Sequence, residues 1–188
     1  MLAINKCDYQ LSSGDVISIG MNFKALENMT RYPGGLGKLQ KDMQRIAINN
    51  PEKEGYINPD SEEYGQIITT AISAMGFMLH ALISAGGEKC TVDECMMAIG
   101  PSDFEQLNEI FKEFSSAMAQ MTGKKQGAPD DERDLNLDFV RLIHTAKRIG
   151  LSIPEFWELS PVAFLQLCGM YLEDHGKTNP FRVQFIDE

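Results

Sequence analysis

The stretch of this chain nearest to a nucleotide site is Pro33-Gly34-Gly35-Leu36-Gly37-Lys38, where a glycine-rich turn ahead of a lysine could cradle a phosphate. Tyr32 stands where such a loop needs its leading glycine, and Leu39 replaces the Mg-binding Ser or Thr, so the stretch reads as a turn. Cys90 and Cys95 are the nearest pair of metal-type ligands. A zinc site would need two more, and His80, His144, His175 and the distant carboxylates lie in unmatched spacing. The two cysteines therefore read as small buried thiols, and the sequence assigns no metal and no cofactor. His80 lies among apolar residues and His144 among helical neighbours, with no Ser or Cys in a recognisable nucleophile setting. The carboxylate pairs Glu62-Glu63 and Asp130-Asp131 fall at a helix start and in a linker, where the helix dipole and solvation account for them. Without a catalytic constellation, the chain reads as non-enzymatic.

The balance of charges narrows the partners. A formal net charge of −10 over 188 residues, with no Lys/Arg run longer than a pair, argues against a protein that neutralises phosphates, so no nucleic acid is expected. The apolar fraction of 43% is enough for a packed core. Four scattered cysteines and the lack of a basic, apolar, cleavable opening segment fit free thiols in a reducing cytoplasm. Residues 66–85 carry no charged side chain and have the length of a membrane span, about 20 residues. They also contain Thr69, Thr70, Ser73, Gly76, His80 and Ser84 without basic flanks, so a central buried helix is expected and no membrane partner.

The periodicities around these residues predict a mainly α protein of two small helical modules with a short N-terminal β-hairpin. Residues 3–19 alternate weakly around the turn signal Ser12-Ser13-Gly14-Asp15. Helical spacing begins at Asn22 with Phe23, Leu26 and Met29, stops at Pro33-Gly34-Gly35, and resumes over about 36–48. Residues 50–59 read as a loop. Asp60 or Ser61 begins a long helix that Gly86-Gly87 ends, and Thr91-Val92-Asp93-Glu94 is a capping box for a short helix holding Met96, Met97 and Ile99. From Pro101 a further helix keeps Phe104, Leu107, Ile110, Phe111, Phe114, Ala117, Met118 and Met121 on one face.

Residues 123–136 are polar, charged and broken by Gly and Pro, which makes them the expected flexible linker between an upstream domain (1–122) and a downstream helical domain with a C-terminal tail (137–188). Leu137, Val140, Ile143 and Ala146 are expected to line the first downstream helix, which Gly150 caps in a left-handed conformation. Pro154 opens a turn that turns Phe156, Trp157 and Leu159 inward, and Ser160-Pro161 starts a helix to about Asp174. The tail, with Pro180, Phe181, Val183 and Phe185, reads as extended. Phe156 and Trp157 read as an aromatic wedge in the core. The eleven methionines either fill core gaps or furnish an adaptable groove for apolar helices.

The pattern Gly150-Leu151-Ser152, Glu155-Phe156-Trp157-x-Leu159-Ser160-Pro161, then Phe164 and Leu167, resembles the downstream domain of tail assembly chaperones of long-tailed bacteriophages over residues 136–171. The upstream half is similar in layout, with a strand-like opening, the helix around Phe23-Lys24-Ala25-Leu26-Glu27, a long helix and the Thr91–Glu94 entry. In that family an upstream domain is made alone and also, by programmed frameshift, fused to a downstream one, so this chain would correspond to the fused form or to one gene for both parts. The resemblance implies an upstream domain that coats the tape measure protein and a downstream domain that recruits tail tube protein, with self-association along the cargo. Such a chaperone works in the cytoplasm of the bacterial host and is displaced before the mature virion. Phe156, Trp157, Phe164 and Tyr171 are then the candidates for the tube-facing module, as contacts or as its internal support. Met96, Met97 and Met118 are those for the tape-facing groove. The competing reading is a helical adaptor or regulatory protein that binds a single folded partner, for which a rigid arrangement of the two modules is expected.

Overall fold

The architecture comes from a computed structural model that describes residues 6–48, 57–122 and 137–178. Among them are eight α-helices and one antiparallel two-stranded sheet, as the mainly α reading with an N-terminal hairpin expects. The expected loop at 50–59 falls largely outside the described residues, and the linker at 123–136 and the tail beyond 178 do so entirely, so the expectations for them stand as sequence readings.

Strands β1 (Lys6–Gln10) and β2 (Val16–Gly20) pair in the register Lys6↔Gly20 through Gln10↔Val16. Their turn closes through Leu11 N–H to the Asp15 carbonyl at 2.9 Å and Gly14 N–H to the Leu11 carbonyl at 2.8 Å. Gly14 sits there at φ +94°, where a side chain would strain the backbone. Tyr9 and Ile19 fall on the core face. Asn22 caps α1 (Phe23–Thr30) by accepting from Ala25 N–H at 3.2 Å, and the helix buries Phe23, Ala25, Leu26 and Met29. After a turn through Pro33, α2 (Gly35–Ile48) buries Leu36, Leu39 and Met43.

The centre of the molecule is α3 (Glu62–Gly86), capped by Ser61 and closed by Gly87 in the left-handed region, with Glu88 N–H returning to the Ile83 carbonyl at 3.2 Å. It packs against α1, α2, β2 and the following helix α4 (Val92–Ala98). Its length and hydropathy are those of a membrane span, and half of its most apolar 18-residue window is buried inside the protein. Toward its N-terminal end the hydroxyls of Thr69, Thr70 and Ser73 bond back to carbonyls one turn earlier. Strand β2 crosses the end of α3 backbone to backbone: a Cβ on Gly20 would lie 2.6 Å from the Ala85 carbonyl carbon, and one on Gly86 would collide with the Ser18 carbonyl.

α4 has the capping box that its sequence promises, Thr91 with Glu94. In α5 (Pro101–Thr122) the apolar face is buried at Leu107, Phe111, Phe114, Ala117 and Met118. The downstream segment folds as α6 (Phe139–Arg148), α7 (Ile153–Glu158) and α8 (Pro161–Asp174). Two readings of it need correction. Val140 is 70% exposed, because the helix starts at Phe139 and the 3.6-residue period puts Phe139, Leu142, Ile143 and Ala146 inward, with Leu137 buried just ahead of it. The expected turn at Pro154 is a six-residue helix, for Ser152 and Glu155 form a second capping box. The Gly150 cap and the Ser160-Pro161 start stand where the sequence puts them: Gly150 has φ +90°, and the Ser160 hydroxyl accepts from Ala163 N–H at 3.1 Å.

The described parts of the upstream and downstream segments share one hydrophobic core, in which α1 meets α7 and α5 meets α8.

Candidate partner-binding surface

At the junction of the two segments, three phenyl rings interlock. Phe23 of α1 stacks on Phe156 of α7 with ring centres 4.3 Å apart, and Phe164 of α8 meets both edge-on at 5.5 and 5.7 Å. Such pairs add about 0.5–1.5 kcal/mol to what the burial of their area supplies. Polar contacts rim the rings: Phe23 N–H donates to the Leu159 carbonyl at 3.1 Å, Lys24 forms an ion pair with Glu158, and the Asn22 amide lies 3.5 Å from the same carboxylate. Trp157 leans on Phe139 at 5.6 Å and Phe156 at 5.1 Å and is half-buried. The Ser152–Glu155 capping box and the left-handed Gly150 thus set α7 at the angle that seats its two aromatic residues.

The candidate contact residues divide by burial. Phe156, Phe164 and Met118 are fully enclosed, so any part they take in binding is to hold the surface above them. Trp157, Tyr171 and Met96 are half-buried: Tyr171 packs on His175 with ring centres 4.1 Å apart, and Met96 lies over Gly76 of α3, where no Cβ would fit. Met97, at 89% exposed, is a free apolar side chain on the outside of α4. Met75 and Met78 are core residues.

The surface that sequence reasoning missed lies between α5 and α8. A groove of about 520 Å³ runs there, with Phe114 and Ala117 on one wall and Pro161, Val162 and Leu165 on the other, and with Glu113 and Gln120 among its polar margins. A signal for it was present. Val162, Ala163, Phe164, Leu165, Leu167 and Cys168 make the first half of α8 apolar almost all round, more than the packing of one face requires. Phe164 and Cys168 go to the core and Val162 is left at the groove.

The glycine-rich stretch and its lysine are tied up locally. Gly34 and Gly35, at φ +91° and +75°, make the turn into α2, and Lys38 forms an ion pair with Asp42. A long-range polar cluster that the sequence does not foretell is at Asp103, buried at the start of α5. Its carboxylate accepts from Tyr9 Oη at 3.0 Å, Gly100 N–H at 2.8 Å, Ser12 N–H at 3.2 Å and the Ser12 hydroxyl, so it fastens the hairpin turn to α5. Burial alone would raise the Asp103 carboxyl, but these hydrogen bonds outweigh it and hold the group below the usual carboxylate range. Burial and the same carboxylate push the Tyr9 phenol upward. Among the described residues, no three His, Cys, Asp or Glu side chains gather as they would around a metal ion. Compared with known proteins, the chain matches no family model, no curated protein and no solved structure.

Proposed function

We propose that this chain is a non-enzymatic assembly chaperone of long-tailed bacteriophages, which binds the tape measure protein and recruits tail tube subunits in the cytoplasm of the bacterial host. The observation that carries the reading is the sequence pattern from Gly150 to Leu167, which builds α7 and the start of α8 beside an open groove with apolar walls. A groove of that form suits a few side chains of an apolar helical cargo better than the tip of a folded globule. The acidic charge and the exposed Met97 are in keeping with it.

The test is co-expression with the long coiled-coil-like protein and the tube-like protein encoded beside this gene, followed by pull-down. The Val162→Glu variant changes a side chain that is 39% exposed at the groove, so it leaves the core intact. The intact chain is expected to retain both cargo proteins, and V162E to lose one of them by at least about tenfold, the equivalent of about 1.4 kcal/mol. Retention of neither cargo by the intact chain would end the proposal.

A second reading, a helical adaptor for a single folded partner, gains from the Phe23–Phe156–Phe164 packing, which ties upstream and downstream helices together. It is favoured if one stoichiometric partner is recovered and is neither of the two cargo proteins.

A further inference from the structure

Cys90 and Cys95 bracket the capping box of α4. Thr91 is the cap and Val92 the first helical residue, so Cys90 is the residue before the cap and Cys95 the fourth of the helix. At these two positions an apolar pair ordinarily staples the entering chain to the first turn. Here the staple is two free thiols, Sγ to Sγ at 3.4 Å. Cys95 is buried and Cys90 is half-buried, so one sulfur can be reached from solvent and the other is held against it. A disulfide needs its sulfurs at about 2.05 Å, so closure asks the pair to approach by about 1.4 Å.

We infer that Cys90 and Cys95 are a redox site, a staple that a disulfide oxidant of the glutathione class closes covalently and a thiol reopens. Cys90, as thiolate, attacks one sulfur of glutathione disulfide; that S–S bond breaks and one glutathione thiolate leaves. Cys95 then gives its proton to the medium and attacks the Cys90 sulfur of the mixed disulfide, which expels the second glutathione. The protein loses two protons and two electrons, and one glutathione disulfide takes them up to become two thiols. The order of the two cysteines follows from burial, which together with the contact to Cys90 pushes the Cys95 thiol up to about 12. Closing the staple pins the entry of the helix that carries Met97 and seats Met96 on α3. The inference is independent of what the protein binds.

The experiment is equilibration of the full chain in glutathione redox buffers, acid quench, alkylation and peptide mapping by mass spectrometry. The expected product is a Cys90–Cys95 cross-link lighter by two hydrogens, with Cys7, exposed on β1, taking glutathione only as a mixed disulfide. Dithiothreitol restores both thiols, and hydrogen exchange in α4 slows at least about tenfold in the oxidised form. C90S, altered at the more accessible sulfur, is expected to give no cross-link and to leave Cys95 a thiol, recovered in its alkylated form. If Cys90 in the parent chain accumulates as the glutathione mixed disulfide while Cys95 stays a thiol at every redox ratio, or if neither sulfur reacts, the inference is overturned.

Discussion

If Phe23, Phe156 and Phe164 form one core, the upstream and downstream segments unfold together, and truncating either ring at the junction destabilises both. Phe23 and Phe156 are completely buried, and their rings are stacked at 4.3 Å. Phe→Ala at such a site costs about 3–5 kcal/mol through lost transfer energy and the cavity left behind. With a urea slope of about 2 kcal/mol/M, each variant shifts the unfolding midpoint down by about 2 M. Two probes read the two segments separately. The far-ultraviolet circular dichroism is dominated by the upstream helices, whereas the fluorescence of the single tryptophan reports on α7 through Trp157. F23A is expected to shift both transitions equally, although residue 23 lies far from Trp157 in sequence. In the double-mutant cycle, F23A and F156A together fall short of additivity by about 0.5–1.5 kcal/mol. If F23A moves the dichroism transition, leaves the fluorescence transition in place and adds to F156A within about 0.3 kcal/mol, the shared core is refuted and the segments are independent modules.

Asp103→Asn removes a buried charge that four donors address and is expected to cost about 1–3 kcal/mol at neutral pH, read from thermal unfolding. Because the folded-state pKa is depressed, that contribution is fully present above the unfolded value of about 3.9 and is lost as pH falls through the lower folded value. The gap between the parent and D103N must therefore narrow in acid, and a gap that stays constant contradicts the latch. Gly20→Ala forces a methyl group into the backbone of Ala85 and is expected to cost about 1–3 kcal/mol; an unchanged melting temperature would mean that β2 does not sit on α3. Ser152→Ala breaks the capping box of α7 and is expected to cost about 1 kcal/mol in chemical unfolding, and Ser152→Gly only a few tenths.

What the sequence made legible was local. Ser160-Pro161, Gly150 and Thr91 to Glu94 act on neighbours within one helical turn, so their structural outcomes could be read without knowing the fold. The Ser152 to Glu155 box was just as local and was hidden by the attention Pro154 draws, although Pro is at home in the first turn of a helix. Val140 was misplaced because a three-residue step from Leu137 counts a residue that precedes the helix. The methionines could not be sorted at all: Met97 and Met118 have the same chemistry, and only the packing of α4 and α5 decides that one is outside and the other enclosed. The Asp103 latch and the phenyl triad were illegible for a related reason, since each joins residues whose separation carries no periodicity. The groove is intermediate, being written into the excess apolar character of α8 yet defined only once α5 is set beside it.

The same geometry bears on how a truncation can be interpreted. A chain ending after α5 loses α8, hence one wall of the groove, and also loses the residues that cover Phe23. An aromatic residue buries about 150–250 Å² when packed, so the shorter chain gains an apolar patch as it loses the proposed binding surface. A cargo retained by the shorter form could then be held at a surface absent from the intact protein. V162E in the intact chain separates the two cases, because it alters the groove while Phe156 and Phe164 remain over Phe23. A cargo lost both on truncation and in V162E binds at the groove; one lost only on truncation depends on downstream residues elsewhere, with Trp157 and Tyr171 the half-buried aromatic candidates. A cargo kept by both forms belongs to the upstream helices, where Met97 is the exposed side chain to substitute first.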